Sequence, residues 1–143
     1  MSEEKKEEKK IGISKKAAKQ ELIRRGFLQF MMHPGQLEMY RIFKEAPDNS
    51  IMTWLLARQS GKSFGLGLIG TMACMEKPNV IVKLLTDTKL HCKTIFEPIF
   101  RQIFDEFPEE LKPEYIPSQY IYIFKNGSQI QMAGTDGNSA ERL

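Results

Sequence analysis

Trp54-Leu55-Leu56-Ala57-Arg58-Gln59-Ser60-Gly61-Lys62-Ser63 is the stretch that decides how the chain is read. Its first four residues are an apolar run, which predicts a buried strand. Gln59-Ser60-Gly61 breaks that run, and Lys62-Ser63 opens a helix. A strand, a small-residue loop and a helix beginning Gly-Lys-Ser together make a cradle for phosphate. Gly61 lets the backbone come close to an anion, so that successive loop N–H groups face its oxygens. The helix N-terminus adds the positive end of its dipole. Lys62 is placed to reach the β- and γ-phosphates of a nucleotide, and the Ser63 hydroxyl to ligate Mg²⁺. The full phosphate-loop pattern has a glycine five residues before Gly61, where this chain has Leu56.

Residues 1–12 alternate Glu and Lys pairs and contain almost nothing to bury, which predicts a disordered, charged tail. Residues 13–50 predict a helical segment. Ala18, Leu22 and Ile23 recur on one face, with Phe27, Leu28 and Phe30 extending the apolar content to the end of a first helix. Lys15, Lys16, Lys19, Arg24 and Arg25 cluster there, either as a solvated face or as a contact for phosphates or a partner. His33-Pro34-Gly35-Gln36 is a turn signal, followed by a second helix from Leu37 to about Glu45. The Gln36 amide carries both a donor and an acceptor, which suits an adenine edge, although a solvated turn glutamine is the plainer reading.

Residues 51–143 predict a partial P-loop domain. Within the helix after the loop, Gly65-Leu66-Gly67-Leu68-Ile69-Gly70 spells GxGxxG, and Asp87 lies where a dinucleotide fold keeps its ribose carboxylate. The register is wrong for that fingerprint, because Gly61-Lys62-Ser63 has already made the turn. The glycines are therefore expected to thin a helix face for close packing on the sheet, at about 1 kcal/mol each in helix propensity. Val80–Leu85 predicts a second strand, parallel to the first through a right-handed crossover. One of Thr86, Asp87 and Thr88 is expected to cap a long helix whose stripe Phe96, Ile99, Phe100, Ile103, Phe104 and Phe107 belongs to the core. Pro108, Pro113 and Pro117 mark an irregular loop. Tyr120–Phe124 and Gln129–Ala133 then alternate around Asn126-Gly127, predicting a hairpin with a type I′ turn.

The chain has 143 residues, enough for one domain with a core. A net charge of +3 gives no global pull toward nucleic acid. No apolar run reaches the ~18 residues of a membrane span, so no membrane partner is expected. Cys74 and Cys92 lack CxxC spacing and are expected to be reduced thiols, as in a cytoplasmic setting. After the loop, no apolar run ends in the paired acids that would complete a Mg²⁺ site and orient water.

Arg58-Gln59-Ser60-Gly61-Lys62-Ser63 after an apolar run resembles the deviant Walker A motif of large terminase subunits, the DNA-packaging motors of tailed bacteriophages. Gln36, in its Pro-Gly-Gln turn, resembles the adenine-contacting glutamine that those motors share with superfamily 2 helicases. The Asn126-Gly127-Ser128-Gln129-Ile130 hairpin and the loop from Gly134 to Leu143 look like the stretch just before that family's Walker B strand. The resemblance covers roughly residues 27–143. It implies an α/β fold: an incomplete, RecA/ASCE-like P-loop NTPase with three layers, a mainly parallel sheet and a β-hairpin. It also implies ATP and Mg²⁺ as ligands, with Gln36, Arg58, Gln59, Ser60, Gly61, Lys62 and Ser63 around the nucleotide. Lys62 and Arg58 would act on the phosphates, and Ser63 on the metal. The implied partners are double-stranded DNA, a small terminase subunit, a portal and further copies in a ring, all in the host cytoplasm. Walker B and the nuclease domain of the family are missing from the pattern, so the expectation is an N-terminal fragment that binds ATP without turning it over. A helicase-like P-loop ATPase fragment and a non-catalytic binding module are the alternatives.

Overall fold

The computed structural model describes residues 15–57 and 59–136. The whole of the predicted 1–12 tail, Arg58 and the end of the polar loop (137–143) therefore lie outside the described residues. The first helix, α1, covers residues 15–24 and is shorter than its apolar pattern predicts. It ends because Gly26 takes a left-handed φ of 81°, with Gly26 N–H bonding to Ile23 O and Phe27 N–H reaching back to Leu22 O. That pair of bonds is a Schellman cap, which glycine forms without Cβ strain. A 3-10 turn at Gln29–Met31 leads into α2, Pro34–Glu45, which begins two residues before Gln36.

α3 spans Lys62–Glu76, β1 Ile81–Thr86 and α4 Lys89–Asp105. Thr88 caps α4, its Oγ accepting from His91 N–H at 3.0 Å. After a 3-10 turn at Glu109–Leu111 come β2 (Glu114–Ile116), β3 (Ile121–Ile123) and β4 (Gln129–Gly134). Strand β2, short and bounded by prolines, has no counterpart in the sequence reading. The sheet order is β1-β4-β3-β2. β1 and β4 run parallel, with Ile81 opposite Gln129 and Thr86 opposite Gly134, while β4·β3 and β3·β2 are antiparallel.

Three expectations are corrected here. The described sheet is mostly antiparallel, because only the β1·β4 pair is parallel. Residues 51–57 form no strand: Ile51 and Leu55 are each 94% exposed, and the β1 ladder is made with β4 instead. Without that strand, the predicted crossover through α3 does not form. Among the described residues the helices give two layers rather than three. α3 and α4 cover the face carrying Val82, Leu84, Ile130 and Met132, and the opposite face leaves Ile81 57% and Leu85 48% exposed.

Close approach explains the glycines of α3. A Cβ on Gly65 would sit 3.2 Å from Gln36 Cγ, one on Gly67 2.9 Å from Ile99 Cγ2, and one on Gly70 3.3 Å from Val82 Cγ1. The three thus fit α3 against α2, α4 and β1 in turn, rather than against the sheet alone. The aromatic stripe of α4 is core as predicted. Phe96, Phe100, Ile103, Phe104 and Phe107 are buried, and Phe100 and Phe104 lie 4.9 and 5.5 Å from the Tyr122 ring. Each such ring contributes roughly 1.5–3 kcal/mol on full burial.

The hairpin forms, but with a different turn. Gly127 is left-handed at φ 86° and Asn126 is not, so the turn is not type I′. Gly127 N–H bonds to Phe124 O and Phe124 N–H to Ser128 O, a tight turn closed by a glycine bulge. Asn126 gains more in this geometry, because its amide donates to Cys74 O at 2.7 Å and its carbonyl accepts from Ser128 N–H. The bond to Cys74 O, with Ser128 Oγ donating to Lys77 O at 2.8 Å, pins the hairpin to the C-terminal end of α3.

Candidate functional site

The loop before α3 has the backbone that a phosphate cradle needs. Gly61 is the N-cap of α3 with φ 78°, and Lys62 and Ser63 are the first two helical residues. No side chain caps this end, so its first N–H groups have no local side-chain acceptor. Gln59 is also left-handed, at φ 61°. A non-glycine residue there costs roughly 1–3 kcal/mol, and such strain tends to concentrate at ligand sites. Ser60 Oγ is buried and has no hydrogen-bond partner among the described residues. Lys62 is exposed and Ser63 half-buried.

α2 braces this loop from behind. The His33 side chain caps α2, its Nδ1 accepting from Gly35 N–H at 3.0 Å and from Gln36 N–H at 3.3 Å. Gln36 answers with Oε1, which accepts from His33 N–H at 3.0 Å and completes a capping box. Two bonds cross to the loop. His33 Nε2 lies 2.7 Å from Ser60 O, and Gln36 Nε2 donates to Gly61 O at 2.8 Å. A Cβ on Gly61 would fall 2.7 Å from Gln36 Nε2, so glycine is required there by space as well as by φ.

Six of the seven sequence-derived site residues are described. Gln36, Gln59, Ser60, Gly61, Lys62 and Ser63 come together at the start of α3, with Gln36 reaching in from α2. Arg58 lies outside the described residues. Gln36 is 3% exposed, and its amide is partly spent on His33 and Gly61 instead of standing open in a turn. His33 is the residue that the sequence reading missed. The signal was available, since a capping box places a side-chain acceptor three residues before Glu or Gln, and Pro34 sits at the favoured first helical position.

Several carboxylates elsewhere are held in pairs. Asp87, after β1, accepts from Thr88 N–H at 2.8 Å and pairs with His91 Nδ1 at 2.5 Å. The His91 hydrogen bond, then the Thr88 N–H, hold its carboxyl below the ordinary value. Arg24 contacts Glu110 and Glu21, and Arg25 contacts Glu21. Among the described residues no group of three or more His, Cys, Asp or Glu side chains is arranged to hold a metal ion, and no helix is long and apolar enough to cross a membrane. No protein-family model, curated protein or solved structure matches the chain.

Proposed function

We propose that this chain binds a nucleoside triphosphate, with ATP as the natural candidate, through the loop from Gln59 to Ser63. The observation that carries the reading is the helix start itself: a left-handed Gly61 capping α3, with Lys62 and Ser63 in the first turn and no side chain occupying its N–H groups. The partnerless buried Ser60 Oγ and the left-handed Gln59 support it, because both are costs that a bound anion would offset. The residues fit the ligand. Loop N–H groups would hold phosphate oxygens, Lys62 would neutralise the β/γ end, and the Ser63 hydroxyl would face Mg²⁺. A bound metal would supply charge neutralisation at the phosphates.

The loop's resemblance to the deviant Walker A of terminase large subunits, together with Gln36 behind it, favours the ATPase part of a DNA-packaging motor acting in the host cytoplasm. On this reading the fold is that of a P-loop NTPase, and the partners are double-stranded DNA, a small terminase subunit, a portal and further copies in a ring. Residues 1–143 are expected to bind ATP without turning it over. The sequence after Gly61 offers no apolar run ending in paired acids, and phosphoryl transfer needs both a metal carboxylate and a group that positions water.

Calorimetric titration of ATP with Mg²⁺ against the wild-type chain and Lys62→Ala tests the proposal. Lys62 is exposed, so its truncation should leave the fold intact while most of the ATP affinity disappears. Equal affinity in the two proteins would end the assignment.

A further inference from the structure

We infer that His33 is a positioning residue for nucleotide phosphates, holding the loop peptides so that their N–H groups face the ligand. The inference rests on the nucleotide-binding reading above. One imidazole makes three contacts with distinct demands. Nδ1 accepts two backbone N–H groups, from Gly35 and Gln36, and so carries no proton. Nε2 meets the Ser60 carbonyl at 2.7 Å, and a carbonyl oxygen can only accept, so Nε2 carries the proton. The surroundings thus select the neutral Nε2–H tautomer. Asparagine, aspartate or serine would cap α2 equally well; none has a second polar atom that reaches across to the loop while its oxygen caps.

What the cross-contact does follows from peptide geometry. In a trans peptide the C=O and the N–H of the next residue point in opposite directions. His33 turns the Ser60 carbonyl toward α2, and the Gly61 carbonyl, which takes the first bond of α3 from Gly65 N–H, also accepts from Gln36 on that side. The N–H groups of Gly61 and Lys62, the partners of those carbonyls across their peptide planes, are therefore directed away from α2. That is the side on which an anion can meet them together with the start of α3. With His33 removed, the Ser60–Gly61 peptide is free to rotate, and the ordering that would precede ligand capture is lost. The second peptide is held by Gln36 and by the α3 bond from Gly65 N–H, whereas the Ser60 carbonyl has the His33 contact.

The experiment compares wild type, His33→Asn and Lys62→Ala, titrating each with ATP–Mg²⁺ and with inorganic tripolyphosphate–Mg²⁺, with a thermal melt of each. Asparagine keeps the cap and loses the reach to Ser60. The expected result is a melting temperature close to wild type and a five- to tenfold weaker affinity for both ligands, since the loss lies on the phosphates and not on the base. A His33→Asn protein that binds tripolyphosphate as wild type does would overturn the inference. Should His33→Asn fail to fold, NMR of the wild-type imidazole decides. Its ring nitrogens must report the Nε2–H tautomer and shift on adding tripolyphosphate, and a protonated Nδ1 or an unresponsive ring would overturn the inference equally. If wild type binds neither ligand, or Lys62→Ala binds as well as wild type, the nucleotide reading itself fails. If Lys62→Ala loses binding and His33→Asn does not, the role given to His33 fails alone.

Discussion

Gln36 serves the fold through its bonds to His33 and Gly61 and, on the proposed reading, would serve the ligand as well. Its Oε1 and one amide N–H are used inside the protein, which leaves a second lone pair and a second N–H for an adenine edge. Gln36→Ala should therefore have two effects. It should destabilise the chain by about 1–3 kcal/mol, because buried bonds to His33 and Gly61 are lost, read as a lower urea midpoint at unchanged slope. It should also erase any preference for ATP over GTP. A wild-type protein indifferent to the base would leave Gln36 with the brace alone. Cys74 gives a prediction of a different kind. It is fully buried beside Gln129 O, and burial pushes its thiol up to about 12. A folded-state value raised above the unfolded one, near 8.5, means that the unfolded chain loses its proton first. Stability is then fully present below about pH 8.5 and falls as pH rises toward 12, with a slope of up to about 1.4 kcal/mol per unit from this thiol. Urea unfolding at about pH 8, 9 and 10 should show the decline, and Cys74→Ala should flatten it; parallel curves for the two proteins would contradict it.

Elements were legible where one local signal decides them. The start of α3 at Lys62 and the cap of α4 at Thr88 could be read because glycine conformation and a hydroxyl N-cap act within a few residues. The aromatic stripe of α4 was legible because its spacing fits one helix face. What failed needed partners far along the chain. The apolar run before the loop reads as a strand, yet a strand exists only where a neighbour supplies its ladder, and no described strand pairs with residues 51–57. Asn126-Gly127 reads as a type I′ turn, yet the bond from Asn126 to Cys74 O in α3, with the one from Ser128 N–H, selects another geometry. In the candidate site, the loop and Gln36 were legible by motif. The bond from His33 to Ser60 was not, because it joins residues 27 apart in sequence. Gly134 carries the clearest prediction at this scale. A Cβ there would lie 2.4 Å from the backbone nitrogen of Lys89 and 2.5 Å from Thr88 C, so the end of β4 runs against the first turn of α4. Backbone cannot swing aside as a side chain can. Gly134→Ala should cost about 3 kcal/mol, at the upper end for overpacking, and thermal melting should show it. By contrast, Gly67→Ala meets side-chain atoms only, Ile99 Cγ2 at 2.9 Å and Ile103 Cδ1 at 3.4 Å, which can shift where backbone cannot, and the alanine's gain in helix propensity offsets part of the clash. Similar losses for both variants would mean that the β4–α4 contact is looser than the structure has it.

At the scale of the whole molecule, the described sheet is open at both edges, and β1 is the longer of its two edge strands. β1 spends one edge on β4, and among the described strands nothing takes its other edge. The face beside that edge carries Ile81 and Leu85, both about half exposed, and residues 51–57 add Ile51 and Leu55 almost bare to solvent. An open strand edge offers a row of N–H and C=O groups to any extended chain, and flanking apolar side chains make the pairing stick. Proteins usually blunt such edges with charge; here Lys83 is the one charged residue within β1. Residues 1–143 should therefore associate as concentration rises, by pairing through β1. Ile81→Lys together with Leu85→Lys should suppress this without unfolding the chain, because both side chains stand on the uncovered face and add little to the core. Sedimentation or light scattering over a concentration series checks it. Wild type should grow in mass with concentration and the double variant should stay monomeric, with overlapping melts confirming that the fold is retained. A wild-type chain that stays monomeric throughout would show that the β1 edge is protected by something other than a strand. A double variant that associates as strongly as wild type would move the contact to the exposed apolar segment at 51–57, where Leu55→Lys is the variant to make next.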